Sequence, residues 1–87
     1  MLKVAFDVDG TLITFNDTPK YNIINLYKSL ESLNCRMYIW SGGGIDYADH
    51  WKERLGLNGE VIEKGSIEVD ICFDDEIVSM GKVNIKV

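Results

Sequence analysis

Apolar residues are arranged along this chain in two kinds of pattern, short continuous runs and stripes with helical spacing. The runs read "LKVAF", "RMYIW", "EVI" and "VDICF", and "KVNIKV" near the end has the character of an edge strand. Short apolar runs that stop at polar or glycine-rich segments are typical of strands buried in a parallel sheet. We therefore expect four strands of this kind and a fifth strand at an edge.

Two amphipathic stripes predict helices between the first three strands. The first stripe comprises Ile23, Ile24, Tyr27, Leu30 and Leu33, and the second comprises Ala48, Trp51 and Leu55. Thr18 is expected to cap the first helix, with Pro19 as its first residue. Asp46 is expected to cap the second helix, and Gly56 to end it. Both stripes should lie against the sheet.

The alternation of strand and helix predicts the fold class. We expect an α/β fold with a doubly wound, Rossmann-like, mostly parallel sheet and flanking helices. With 87 residues, the chain has room for one domain, 1–87, and none for an inserted cap domain. Ligands bind such sheets outside the carboxyl ends of the strands, so those positions carry the functional information.

The polar residues at the predicted strand ends are of a consistent chemical type. They are Asp7, Asp9, Gly10 and Thr11 after the first strand, Ser41 and Gly42 after the second, Lys64 after the third, and Asp74 and Asp75 after the fourth. Four carboxylates without a histidine or thiolate partner form a hard oxygen site that suits Mg²⁺. Ser41, the glycine N–H groups near a helix start, and the Lys64 ammonium suit an anion such as a phosphoryl group.

In order, these residues form D-V-D-G-T-L, a serine after an apolar strand, a lysine, and D-D after another apolar strand. That series resembles the four motifs of the haloacid dehalogenase superfamily over nearly the whole chain. The resemblance implies Mg²⁺-dependent hydrolysis of a phosphomonoester through an aspartyl-phosphate. It makes Asp7 the nucleophile, and Asp9 the general acid and then the general base.

The same resemblance assigns the remaining residues. Thr11, Ser41, Gly42 and Lys64 would bind the phosphoryl group, and Asp7, the backbone carbonyl of Asp9, Asp74 and Asp75 would bind Mg²⁺. The family usually carries a flap or a cap, but here only "ITFND" separates Leu12 from the predicted helix cap. We therefore expect an open, capless site that takes large substrates or borrows a lid from a neighbouring subunit. Lys64 is expected on a loop, and Phe15 and Tyr21 are candidates for substrate contact.

Composition narrows the class of protein further. The chain is 46% hydrophobic and 26% charged with a formal net charge of −5, as in ordinary water-soluble domains, and this charge disfavours binding to duplex nucleic acid. No apolar run spans a bilayer and no signal peptide is evident, so a cytoplasmic location without membrane contact is expected. Cys35 and Cys72 are expected to be reduced thiols, and His50 a surface or packing residue. The small core and open site are compatible with a homodimer.

Three alternatives remain beside the phosphatase hypothesis. A regulatory domain of the same fold could bind metal or phosphate with little turnover. A receiver-like phosphoacceptor domain uses similar residues, but it would place its acceptor aspartate on a middle strand, and "RMYIWS" offers none. A calcium loop could begin with D-V-D-G, although its twelfth position would be Thr18 instead of a glutamate. The identity of the phosphorylated substrate is not encoded in any recognisable pattern.

Overall fold

The computed structural model describes all 87 residues, which form two helices and one sheet of five parallel strands. The elements are β1 (Lys3–Asp7), α1 (Tyr21–Ser32), β2 (Arg36–Trp40), α2 (Ile45–Leu55), β3 (Glu60–Val61), β4 (Val69–Asp74) and β5 (Gly81–Lys86). Their order across the sheet is β3-β2-β1-β4-β5. The expected α/β class, the parallel pairing and the edge position of the last strand are confirmed.

Both helices pack on the same face of the sheet. The larger hydrophobic cluster joins residues of α1 and α2 to one face of the central strands: Ile23, Ile24, Tyr27, Ala48, Trp51, Val4, Phe6, Met37 and Ile39. The reason is topological, because the crossovers from β1 to β2 and from β2 to β3 move in the same direction. Right-handed crossovers that move in one direction place their helices on one side.

The opposite face of the sheet is covered by loops. Its smaller cluster consists of Ala5, Tyr38, Trp40, Val69 and Cys72, with Ile62, Val78 and Met80 packed against it from the connections. Those connections, 62–68 and 75–80, run to β4 and β5 without helices. The expectation of helices flanking a doubly wound sheet is therefore corrected. The strand order does reverse at β1, but the chain is too short after β3 to build helices on the second face.

The start of α1 and the end of its apolar stripe differ from the sequence prediction. The helix begins at Tyr21 with Lys20 as its N-cap, so Thr18 is not the cap and Pro19 is not helical. Pro19 instead pairs with Ile13 in an antiparallel bridge, which uses the predicted cap segment in a hairpin-like turn. Leu33 follows the last helical residue and is 73% exposed, so it does not join the core.

The second helix is closer to its prediction. Gly56 ends α2 in a left-handed conformation (φ 65°), as expected for a glycine at this position. Asp46 lies in the first turn instead of at the cap, which is Gly44 with φ 100°. Neither helix has the length and apolar character needed to cross a bilayer.

Candidate active site

A pocket of about 260 Å³ opens at the carboxyl ends of β1, β2 and β4. It is lined by Asp7, Asp9, Phe15, Ser41, Gly42, Gly43, Lys64, Asp75 and Glu76. The position follows from the strand order, because the connections leave β1 and β4 in opposite directions and open a crevice between them. Most of the polar residues singled out in the sequence therefore line one cavity.

Asp7 and Asp74 form the buried floor of the site. They end the neighbouring strands β1 and β4, and they are 4% and 1% exposed. The Lys64 ammonium lies 3.1 Å from Asp7 Oδ1 and 2.8 Å from Asp74 Oδ2. The contact with Asp7 is a hydrogen bond, whereas Asp74 Oδ2 has the charge contact without directed hydrogen-bond geometry. One cation thus separates two buried carboxylates that would otherwise repel each other.

Two residues of this trio, Asp7 and Lys64, have shifted pKa values in the folded protein. Burial raises the pKa of the Asp7 carboxyl to about 7. Lys64 opposes that rise, and the charge of Asp74 and a hydrogen bond with Asp75 add to it. Burial acts to lower the pKa of Lys64, but Asp74 and Asp7 outweigh it, and the pKa is raised overall. Without a further cation, one ammonium does not fully compensate the buried carboxylates.

A tight turn after β3 brings Lys64 to the site. The Ser66 N–H donates to the Glu63 carbonyl at 3.1 Å, and Gly65 takes φ 75° in the turn. A positive φ is accessible to glycine at little cost, so this residue lets the chain reverse directly after Lys64. The expected loop location of Lys64 is confirmed, and its ammonium reaches both strand ends.

The segment after β2 presents a hydroxyl and one free backbone donor. Ser41 Oγ accepts a hydrogen bond from the Gly43 N–H at 3.0 Å, and the Ser41 carbonyl accepts one from Gly44 at 3.1 Å. Two of the three glycine N–H groups are thus used inside the turn. The Gly42 N–H has no acceptor in the protein, and a Cβ at Gly42 would meet open space. Near the start of α2, this arrangement suits an anion.

Asp9 and Asp75 occupy the rim above the buried pair. Asp9 Oδ1 accepts a hydrogen bond of 2.7 Å from the Tyr47 hydroxyl on α2. Asp75 packs directly on Gly10, where a Cβ would lie 2.6 Å from the Asp75 carboxyl. Gly10 (φ 80°) is required at this position for both its conformation and its lack of a side chain.

Three carboxylates could hold a divalent metal. Oxygen atoms of Asp7, Asp74 and Asp75 all lie within 4.8 Å of one another. The donors are hard oxygens, and the nearly inaccessible Asp74 Oδ2 has the Lys64 ammonium as its one partner, through a charge contact of 2.8 Å. Both observations fit Mg²⁺, which binds a few carboxylates and completes its shell with water and phosphate oxygens. The Asp9 side chain lies outside this set and is turned toward Tyr47.

Thr11 and Tyr21 are not brought to the pocket. Thr11 is fully buried, and its Oγ1 has no hydrogen-bond partner. The cause is a compact turn in which the N–H groups of Thr11, Leu12 and Ile13 all point at the Val8 carbonyl. The sequence-based role of Thr11 in phosphate binding therefore has no support in the lining of the cavity.

Sequence reasoning missed three features of this site. Tyr47 was given no role, and Glu76 was interpreted only as part of a solvated strand end, but the parallel fold places a residue in the first turn of α2 and one directly after Asp75 near the rim. The third feature is a hairpin-like turn over 14–18, closed by a hydrogen bond of 2.8 Å from the Thr14 N–H to the Thr18 carbonyl. It carries Phe15, the one hydrophobic lining residue, which is 75% exposed. A short flap is therefore present where only an open connection was expected.

No protein-family model, curated protein or solved structure matches this chain.

Proposed function

We propose that this protein is a Mg²⁺-dependent phosphomonoester hydrolase that works through an aspartyl-phosphate on Asp7. The observation that carries the proposal is the trio of Asp7, Asp74 and Lys64 beneath an open pocket, with the Lys64 ammonium within 3.1 Å of both carboxylates. A buried carboxylate beside a fixed cation, open to solvent on one side only, is suited to attack a bound phosphoryl group.

The reaction would proceed in two displacements. An Asp7 oxygen attacks phosphorus while the bond between phosphorus and the leaving oxygen breaks, and Asp9 donates its proton to that oxygen. The Asp9 carboxylate then takes a proton from a water molecule that attacks the phosphoaspartate. Inorganic phosphate leaves and Asp7 is regenerated. Lys64, Ser41 and the Gly42 N–H would hold the phosphoryl oxygens during both displacements.

The metal requirement follows from charge. Asp7, Asp74 and Asp75, with the backbone carbonyl of Asp9, would hold Mg²⁺, which supplies positive charge that offsets repulsion between the carboxylate and the phosphate dianion. Lys64 alone contributes one positive charge against two buried carboxylates. Binding of a phosphate dianion therefore needs a further cation.

The direct test is hydrolysis of p-nitrophenyl phosphate with millimolar Mg²⁺ and with EDTA. We expect turnover only with Mg²⁺, and its loss in Asp7→Asn, because an amide of similar shape does not attack phosphorus. Asp49→Asn makes the same chemical change on an exposed residue of α2 outside the pocket and should retain activity. Equal activity in Asp7→Asn and wild type, both free of contaminating phosphatase, would reject the mechanism.

One observation favours a second candidate, a receiver-like phosphoacceptor domain. Asp7 ends β1, and the sheet order makes β1 the central strand. The sequence prediction took "RMYIWS" (β2) as the middle strand, but β2 lies beside the centre. A phosphoacceptor domain would store the phosphoryl group on Asp7, whereas a hydrolase would release it rapidly.

The lifetime of phosphorylated Asp7 separates these functions. After treatment with acetyl phosphate and Mg²⁺, the hydrolase should show little phosphoprotein by mass spectrometry, and Asp9→Asn should accumulate it because the base is missing. A phosphoacceptor domain should accumulate it in the wild type. A regulatory domain that binds phosphate without chemistry should show none in either protein.

A further inference from the structure

We infer that Tyr47 is a positioning residue that holds the Asp9 carboxyl in the orientation needed for proton transfer. The inference rests on the proposed hydrolase function and assigns a role to a residue outside the four sequence motifs. Tyr47 does not line the pocket, so it acts through Asp9 and not through contact with the substrate.

The hydrogen bond between these residues is the only one that restrains the Asp9 side chain. Tyr47 Oη donates to Asp9 Oδ1 at 2.7 Å, and Asp9 has no other side-chain hydrogen bond or ion pair in the protein. A phenol hydroxyl is protonated at neutral pH, so Tyr47 is the donor in this hydrogen bond. Because Asp9 Oδ1 accepts this hydrogen bond, Asp9 Oδ2 is the oxygen left to carry the transferred proton.

Restraint of Asp9 matters because positive charge elsewhere in the site would attract its carboxylate. The Lys64 ammonium already binds Asp7 and Asp74, and a divalent metal at the same carboxylates would attract Asp9 as well. A carboxyl drawn toward those charges would lie away from the leaving oxygen. Displacement of a catalytic group by about 1 Å can cost on the order of 10²-fold in rate. The hydrogen bond from Tyr47 holds the Asp9 carboxyl, which lies outside that cluster.

The glycine segment before α2 is shaped to accept the Tyr47 ring. A Cβ at Gly43 would lie 3.0 Å from Tyr47 Cδ2 and 3.2 Å from Cγ. Such contacts are tighter than ordinary van der Waals distances, so a side chain at Gly43 would push the ring. Gly43 thereby links the turn that begins at Ser41 to the orientation of Asp9.

Leaving-group dependence tests this role. We would measure kcat/KM, which reports the steps up to transfer of the phosphoryl group to Asp7, for p-nitrophenyl phosphate and for glycerol 2-phosphate. Only the alkyl alcohol needs a proton as it leaves. Tyr47→Phe should lower kcat/KM about tenfold for glycerol 2-phosphate and less than about twofold for p-nitrophenyl phosphate. Tyr21→Phe, which removes an exposed hydroxyl outside the pocket, should change neither value.

A second variant keeps the hydroxyl and moves it. Gly43 also lines the pocket, and a Cβ there would lie 3.4 Å from Ser41 Oγ, so the readout for Gly43→Ala is the ratio of the two kcat/KM values, which should fall for glycerol 2-phosphate relative to p-nitrophenyl phosphate. The double variant with Tyr47→Phe should change that ratio little more than either single variant, because both disturb the same hydrogen bond. Crystal structures of the metal-free proteins should show the Asp9 carboxyl rotated in both variants. Thermal unfolding establishes that each variant is folded.

The outcomes distinguish failure of the proposed function from failure of the role inferred for Tyr47. A wild-type protein that hydrolyses neither substrate overturns the proposed function and this inference with it. An active wild type in which Tyr47→Phe leaves the ratio of the two kcat/KM values unchanged overturns the inference alone. Equal losses on both substrates would likewise reject positioning of Asp9 in favour of a general structural role.

Discussion

At the scale of single residues, burial and charge oppose each other at Asp7. Burial raises the pKa of this carboxyl to about 7 from 3.8, so its charged form is disfavoured in the folded protein. Lys64 reduces the cost without removing it, because it is shared with Asp74. A carboxylate that is poorly compensated in this way can bind metal, whereas one fully satisfied by protein groups would be inert.

The raised pKa of Asp7 predicts that the stability of the metal-free protein depends on pH. Between pH 4 and about 7 the unfolded chain loses the Asp7 proton while the folded protein keeps it, so the Asp7 contribution to the free energy of unfolding falls as pH rises. Asp7→Asn removes that contribution and should be more stable than wild type at pH 7 by roughly 0.5–2 kcal/mol.

Urea unfolding in EDTA at pH 4 and at pH 7.5 measures the effect. The advantage of Asp7→Asn over wild type should appear at the higher pH and shrink at the lower one. Asp49→Asn, on the exposed face of α2, should follow the wild type at both pH values. An advantage of the same size at both would show that Asp7 does not titrate as described.

At the scale of elements, the connection from β4 to β5 is unusually short for parallel strands. Parallel neighbours are commonly joined by a crossover of a dozen or more residues, but here residues 75–80 suffice. Gly81 makes this possible, because a Cβ there would lie 2.9 Å from the Val83 carbonyl oxygen and 3.1 Å from the Cys72 nitrogen. Because Gly81 has no side chain, its backbone can lie close to that of β4, and β5 can begin directly after the short connection.

Gly81→Ala should therefore be destabilising. The contacts are with backbone atoms that side-chain rotation does not relieve, and overpacking of this kind costs about 1–3 kcal/mol. Gly42→Ala is the matched control, because a Cβ at Gly42 meets nothing within 4 Å. Chemical denaturation compares the two variants, and equal stabilities would show that β5 tolerates a side chain at its start.

At the scale of the whole molecule, the proposed metal site would couple metal binding to folding, because its ligands are far apart in the chain. Asp7 and Asp74 lie near opposite ends of the sequence and meet only when β1 pairs with β4. The unfolded chain has no such site, so a bound cation stabilises the folded state alone.

Millimolar Mg²⁺ should consequently raise the melting temperature by several degrees, which corresponds to about 1 kcal/mol for a domain of this size. Asp74→Asn should abolish the shift because it removes a buried ligand, and Asp49→Asn should retain it. Thermal scans with EDTA and with Mg²⁺ give both comparisons. The same absence of a shift in wild type and Asp74→Asn would argue against a metal at these carboxylates.

The openness of the pocket predicts weak discrimination among small substrates. Phe15 on the 14–18 turn is the one hydrophobic residue that lines the pocket. Under the proposed function, small phosphomonoesters would be held mainly by the phosphoryl group, and little binding energy would remain to orient them. Substrates large enough to contact the surface around the pocket, or a second subunit, would supply it.

We accordingly expect low and similar kcat/KM values across a panel of small phosphomonoesters. Turnover should be much faster on a macromolecular phosphate, or the protein should form an oligomer that covers the rim. Steady-state kinetics and light scattering test both parts. A monomer with kcat/KM above about 10⁵ M⁻¹s⁻¹ for one metabolite, and a hundredfold less for close relatives, would contradict the prediction.

Local pattern was sufficient to predict the elements and to select most of the residues that line the pocket. The run before Asp7 reads as a buried strand because its apolar character is continuous, and Gly56 ends α2 because a left-handed residue favours glycine. Parallel pairing then requires that residues after each strand share one edge. For that reason Asp7, Ser41 and Asp75 could be grouped before any contact was known.

Contacts between distant segments were decided only by the tertiary structure. The order β3-β2-β1-β4-β5 makes β1 central and leaves one face without helices, which depends on pairing between strands far apart in the chain. The reach of Lys64 depends on a turn beyond β3, and the bond between Tyr47 and Asp9 depends on how α2 packs. Side-chain periodicity states which face of an element is buried, but it carries no information about which other element covers that face.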